Sequence, residues 1–199
     1  MATAVEAEVR SIITEDREAR INRAYAKAWN DWWENPNRQT FRWARSRAND
    51  LFEYLARHLA NEFSTDTGVR FIYHRESFKL IMDERLIVRF KKANMNGVGS
   101  NIATEIELDF CELQTDLPGF PGLQKVEIVY ELNVTETAIS DIAVVARNGE
   151  KRFWSYSIPG TGGAEVIPLV QPTSPTPDID NLVVPKTPSS DEMSRKGDK

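Results

Sequence analysis

The segment Arg85 to Thr104 comes closest to having residue types and spacing that do chemistry. Arg85, Arg89, Lys91 and Lys92 lead at once into Gly97-Val98-Gly99-Ser100-Asn101. The backbone N–H groups of a glycine-rich loop, with lysines beside them, can cradle a phosphate. Arg89, Lys91, Lys92, Gly97, Gly99 and Asn101 are therefore the candidate contacts to phosphate or nucleic acid. The spacing is neither that of a P-loop nor that of a dinucleotide fingerprint, and nothing clearly helical follows. The simpler reading is a loop that needs positive φ at its glycines, flanked by a basic strand end.

Other clusters carry less. Arg38, Arg42, Arg45 and Arg47 interleave with Phe41 and Trp43, a mixture that suits nucleic-acid backbone and base stacking. It suits a solvated charged helix face equally well, and the formal net charge of −5 favours that version. Glu105, Glu107 and Asp109, then Glu127 and Glu131, would share strand faces as carboxylates do in metal-dependent nucleases. A nuclease core also wants a lysine two residues past a strand carboxylate, and none of these has one. His58, His74 and Cys111 are too scattered to form a zinc site or a nucleophile–base pair. No catalytic residue, metal site or cofactor is nominated.

The elements that would position these residues are legible from periodicity. Apolar residues recur at intervals of three and four from Val5 to Trp33, which predicts one long helix with Arg10, Glu15, Arg17, Glu18 and Arg23 mostly on its other face. Asn35-Pro36-Asn37 breaks it and also carries a helix start signal, so a second helix is expected from Pro36 to Phe63. Short connections make the two an antiparallel hairpin. Trp32 and Trp33 are adjacent, so a helix cannot bury both equally.

After Gly68 the period changes to two. Strands are expected at Val69–Tyr73, Phe78–Met82, Leu86–Phe90, Lys125–Leu132, Ala138–Ala146 and Phe153–Ile158, with a tight turn at Asp83-Glu84. Val88 and Phe90 should share one face, and Ile87 and Arg89 the other. Residues 102–110 alternate like a strand, with a short helix as the rival. Asn148-Gly149 has the composition of a type I′ hairpin turn. The fold class is thus α+β, an N-terminal helical hairpin packed on a mainly antiparallel sheet.

Residues 1–158 read as a single domain and 159–199 as a Pro/Ser/Thr-rich tail, expected to be disordered alone because it cannot bury enough apolar surface. Within it, Ile179, Leu182, Val183 and Val184 form an apolar island of the kind that docks on a protein partner. No apolar run approaches the length of a membrane span, Met1 to Arg10 does not read as a secretory signal, and the single Cys111 fits a reducing cytoplasm.

The run Val88-Arg89-Phe90-Lys91-Lys92-Ala93-Asn94, with Gly97, Gly99, Asn101-Ile102 and Thr104 after it, forms a pattern. Leu117-Pro118-Gly119, Val126-Glu127, Tyr130, Leu132-Asn133, Val144-Val145-Ala146-Arg147 and Trp154-Ser155-Tyr156 continue it. Across residues 41–158 it resembles a family of bacterial and phage proteins from small cassettes that also carry a helix-turn-helix regulator and an ImmA/IrrE-type metallopeptidase-like protein. The resemblance implies an antitoxin-like or regulatory role in a toxin–antitoxin or phage-defence module, with a toxin or regulator as protein partner. The chain lacks His-Glu-x-x-His, so it would not be the peptidase. Nucleic acid is the alternative partner, through the basic strand end and its loop.

Overall fold

The computed structural model describes residues 4–74, 77–94, 96–99, 122–149 and 151–160, without the His74 side chain. The chain divides into Met1–Ala164 and Glu165–Lys199, and every described residue belongs to the first unit. Asn101, residues 102–110 and the tail island of Ile179, Leu182, Val183 and Val184 lie outside the described residues.

The expected first helix is two: α1, Glu6–Ile12, and α2, Glu15–Glu34. The break has a physical cause. Thr14 caps α2, its side chain accepting from the Arg17 backbone N–H, and Glu15, Asp16 and Glu18 fill the first turn. Carboxylates there meet the positive end of the helix dipole. The second correction concerns Arg17 and Glu18, which are buried rather than on the outer face. Arg17 sits four residues after Ile13 and four before Ile21, in the middle of the apolar stripe.

The expected second helix starts later than its Asn-Pro signal suggests. Residues 36–43 contain a 3-10 turn at Arg38–Thr40, and α3 runs Ala44–Glu62. Asn35 explains the delay. Its Oδ1 accepts from the Asn37 N–H at 2.9 Å, and its amide donates to Asp50 at 3.0 Å and Tyr54 at 3.3 Å, pinning the connection to the side of α3. Leu51, Leu55, Leu59 and Phe63 then give α3 its buried stripe.

Among the described residues six strands follow: β1 Val69–His74, β2 Ser77–Met82, β3 Leu86–Lys92, β4 Gln124–Leu132, β5 Ile139–Asn148 and β6 Lys151–Ser157. They lie side by side in chain order, antiparallel except for β3 against β4. The α+β class and the mainly antiparallel sheet are therefore as expected. The hairpin at 148–151 forms, with Asn148 already strand and paired to Lys151, so left-handed backbone falls on Gly149 (φ +56°). The Asp83-Glu84 turn also forms, although both residues have φ +52° without being glycine.

Alternation splits the sheet into two faces as the sequence implies. Leu86, Val88 and Phe90 join Val126, Ile128, Tyr130, Ile142 and Val144 against Ile21, Tyr25, Leu55 and Leu59 of the helices in one apolar core. The opposite face is buried too. Ile81 and Ile87 form one small cluster there, and Val98, Val129 and Val145 another. No described helix is long and apolar enough to cross a membrane.

Candidate functional site

Strand alternation parts the basic residues at the end of β3. Arg89 points to the face away from the helices, only 5% exposed, with Glu127 of β4 as its in-register neighbour. Glu127 is the most deeply buried carboxylate among the described residues, 1% exposed. Arg147 of β5 grips it with two hydrogen bonds of 2.8 Å, and the Gly99 N–H donates to it at 3.1 Å. A Cβ on Gly99 would lie 2.7 Å from Glu127 Oε2 and 3.0 Å from the Lys91 Cβ, so glycine is needed for this close approach.

The rest of the loop turns on Asn94. Its Oδ1 accepts from the N–H groups of Asn96 at 2.9 Å and Val98 at 3.2 Å, and its carbonyl accepts from Gly97 at 2.9 Å. The Asn94 N–H in turn donates to Val98 at 2.7 Å. Gly97 has φ +67°, and a Cβ there would meet the Arg152 guanidinium at 2.8 Å. The described backbone donors of the loop, from Asn96 to Gly99, thus all point at the protein's own acceptors. A phosphate would have to displace Asn94 or a buried carboxylate to reach them. The chemistry this arrangement performs is ion pairing between buried strands.

Lys92, one residue on from Lys91, lies on the opposite side and helps line an open cleft. Trp29 and Trp32 of α2, Leu51 of α3, and Tyr130 and Leu132 of β4 form its apolar wall. At its polar edge Glu136, in the turn between β4 and β5, bridges two cations: Arg47 of α3 at 3.4 Å and Lys92 at 3.2 Å. Glu136 holds φ +52°, a backbone kept in place by Asn133, whose side chain accepts from the Thr137 N–H at 2.8 Å. The Glu136 side chain is 51% exposed, and an exposed ion pair of this kind contributes only about 0–1 kcal/mol. Burial first, then the charge of Glu136, hold the Tyr130 phenol well above its ordinary range, so it stays neutral.

Tryptophans crowd this end of the helical pair. Trp29 packs on Trp32 with ring centroids 4.8 Å apart, and Trp33 stacks on Trp29 at 6.0 Å. The Arg38 guanidinium lies 3.7 Å over Trp33. As adjacency requires, only one of the pair is deeply buried: Trp32 is 8% exposed and Trp33 42%. The buried Trp32 indole N–H has no acceptor among the described residues. Trp43 is 74% exposed, between exposed Arg42 and Arg45, which have no ion-pair partner among those residues.

Two further charge clusters escaped sequence reasoning. His58 of α3 meets Asp31 of α2 at 2.6 Å, and Arg57 meets the same carboxylate. The His58 hydrogen bond foremost, then that of Arg57, lowers the Asp31 pKa from the usual aspartate value. Arg17 spans Asp66, after α3, and Asp83, in the β2–β3 turn. Among the described residues no group of three or more His, Cys, Asp or Glu side chains could hold a metal ion. Glu105, Glu107, Asp109 and Cys111 lie outside them. The cleft joins Trp29 and Trp32, Arg47, Lys92 and Glu136, which are distant in sequence. Its only local signals were the arginine–tryptophan cluster and the Trp32-Trp33 pair.

In comparisons with known proteins, no family model, curated protein or solved structure matches the chain.

Proposed function

We propose that the protein is a non-enzymatic, cytoplasmic interaction component, an antitoxin-like or regulatory partner in a toxin–antitoxin or phage-defence module. The observation that carries the interaction reading is the exposed aromatic and arginine surface where α2 ends and α3 begins. Trp43 and Trp33 stand exposed there beside Arg38, Arg42 and Arg45. Tryptophan and arginine are the residues most enriched in the energetic centres of protein interfaces. The assignment to such a module rests on the sequence resemblance, and the tail island of Ile179, Leu182, Val183 and Val184 supplies the second contact. The alternative, nucleic-acid contact through Arg89, Lys91, Lys92 and the glycine-rich loop, has less support. Arg89 is buried, Lys92 turns to the other side, and the described loop donors are engaged within the protein.

The test is affinity capture from the native host, comparing the full chain with a Trp33→Ala, Trp43→Ala double variant and with a chain ending at Ile158. One stoichiometric protein partner, weakened by the tryptophan changes and by loss of the tail, is the expected outcome. Recovery of nucleic acid that salt removes, with no protein partner, would sink the reading.

A further inference from the structure

We propose that the cleft between α2, α3 and the ends of β3 and β4 is a recognition pocket for an acidic segment of a protein partner. The segment seats one apolar side chain against Trp29, Trp32 and Tyr130, and its carboxylate replaces Glu136 on Arg47 and Lys92. This rests on the interaction reading above and gives the partner its chemistry.

Charge selects the occupant. Arg47 and Lys92 share a single carboxylate, Glu136. Arg42 and Arg45 add exposed positive charge with no ion-pair partner among the described residues, flanking Ala44 of the cleft wall in the chain. A basic segment is repelled here and an acidic one attracted. Glu136 itself is half-exposed and sits on a turn, so it acts as an internal stand-in that a stronger ligand displaces. The Trp32 indole N–H belongs to a residue of the cleft wall, is itself closed to solvent and has no acceptor among the described residues, so it reports on repacking of that wall. The tryptophans of the wall already pack on each other, which leaves a base less open ring face to stack on.

The test uses the full chain and a short fluorescein-labelled peptide of alternating glutamate and leucine, read by anisotropy. Glu136→Gln removes the internal competitor and should tighten binding about threefold, whereas Arg47→Ala with Lys92→Ala should weaken it roughly tenfold. A matched peptide with lysine for glutamate should not bind. The Trp32 indole N–H resonance, assigned through Trp32→Phe, should shift as the acidic peptide is added. Equal affinity for Glu136→Gln and the unaltered chain overturns the proposal, as does absence of binding at millimolar peptide. Displacement of the peptide from Arg47 and Lys92 by a tighter-binding oligothymidylate overturns it in favour of nucleic acid. A native partner captured equally well by the Arg47→Ala, Lys92→Ala chain sinks this proposal and leaves the interaction reading standing. Capture of no native partner sinks that reading, while the peptide titration still judges the cleft.

Discussion

Arg17→Met tests how the start of α2 is tied to the sheet. All five N–H donors of the Arg17 guanidinium are used. Nε and Nη2 bond Asp66 at 2.9 and 3.1 Å, Nη1 and Nη2 bond Asp83 at 2.7 and 2.9 Å, and Nη1 bonds the Ile12 carbonyl at 2.8 Å. Methionine keeps the stem's apolar packing and deletes every donor. Removing one partner of a buried ion pair costs about 3–5 kcal/mol, because the remaining charge stays desolvated. The Arg17 and Asp66 side chains are 10% and 15% exposed, but Asp83 is 40% exposed, so solvent screens its share and the lower end applies, about 3 kcal/mol. For a domain of this size that is a fall in Tm of roughly 6–12 °C.

The pH dependence gives a second readout. Hydrogen bonds from Arg17 hold both the Asp66 and Asp83 carboxyls below the usual aspartate range. Groups with depressed native pKa values contribute stability that is present above the unfolded value and lost as pH falls through the native one. The difference between the unaltered chain and Arg17→Met should therefore be full at pH 7 and shrink as pH falls below the ordinary aspartate range, about 4. Thermal unfolding followed by circular dichroism across that range measures it. A Tm within about 2 °C of the unaltered chain at pH 7, or a difference that does not shrink in acid, refutes the reasoning.

Glu127→Gln strips the charge that Arg147 faces on a buried sheet face, and should cost about 3 kcal/mol or more. A urea midpoint unchanged from that of the unaltered chain would show that the pair is not what holds β4 to β5 there. Glu84→Gly should act in the opposite direction. Glu84 has φ +52° and a side chain 74% exposed, with one exposed contact to Arg70. Relief of the left-handed conformation is therefore worth up to about 1 kcal/mol, readable as a small rise in Tm.

What was legible in the sequence was local. The split of Val88 and Phe90 from Ile87 and Arg89 follows from a period of two, and it held because each face found an apolar partner. The hairpin at Asn148-Gly149 was readable from composition, although the turn's left-handed position slid to Gly149. The break before α2 was also written in the chain, as Thr14 followed by carboxylates. The apolar stripe stays in phase on either side of the break and so masks it. By residue type Arg17 belongs on the outer face, whereas its position between Ile13 and Ile21 points inward. The cleft was not legible, since Arg47, Lys92 and Glu136 meet only after α3, β3 and the β4–β5 turn are assembled. Nor was the burial of Glu127, which depends on Arg147 twenty residues away and on Gly99.

Among the described strands one pairing is parallel, β3 with β4, and it divides the sheet into two meanders, β1–β3 and β4–β6. Within each, neighbours in space are neighbours in sequence, so their hairpins close short loops. The seam between them joins Leu86 to Gln124 and Lys92 to Tyr130, contacts that come at the loop-closure cost of nearly forty residues. A folding chain therefore meets the hairpins first and the seam later. Tyr25 of α2 stands over that seam, fully buried, with its ring 6.4 Å from Phe90 on one side and 5.7 Å from Tyr130 on the other. The helix that caps the sheet is thus also the rivet between its halves.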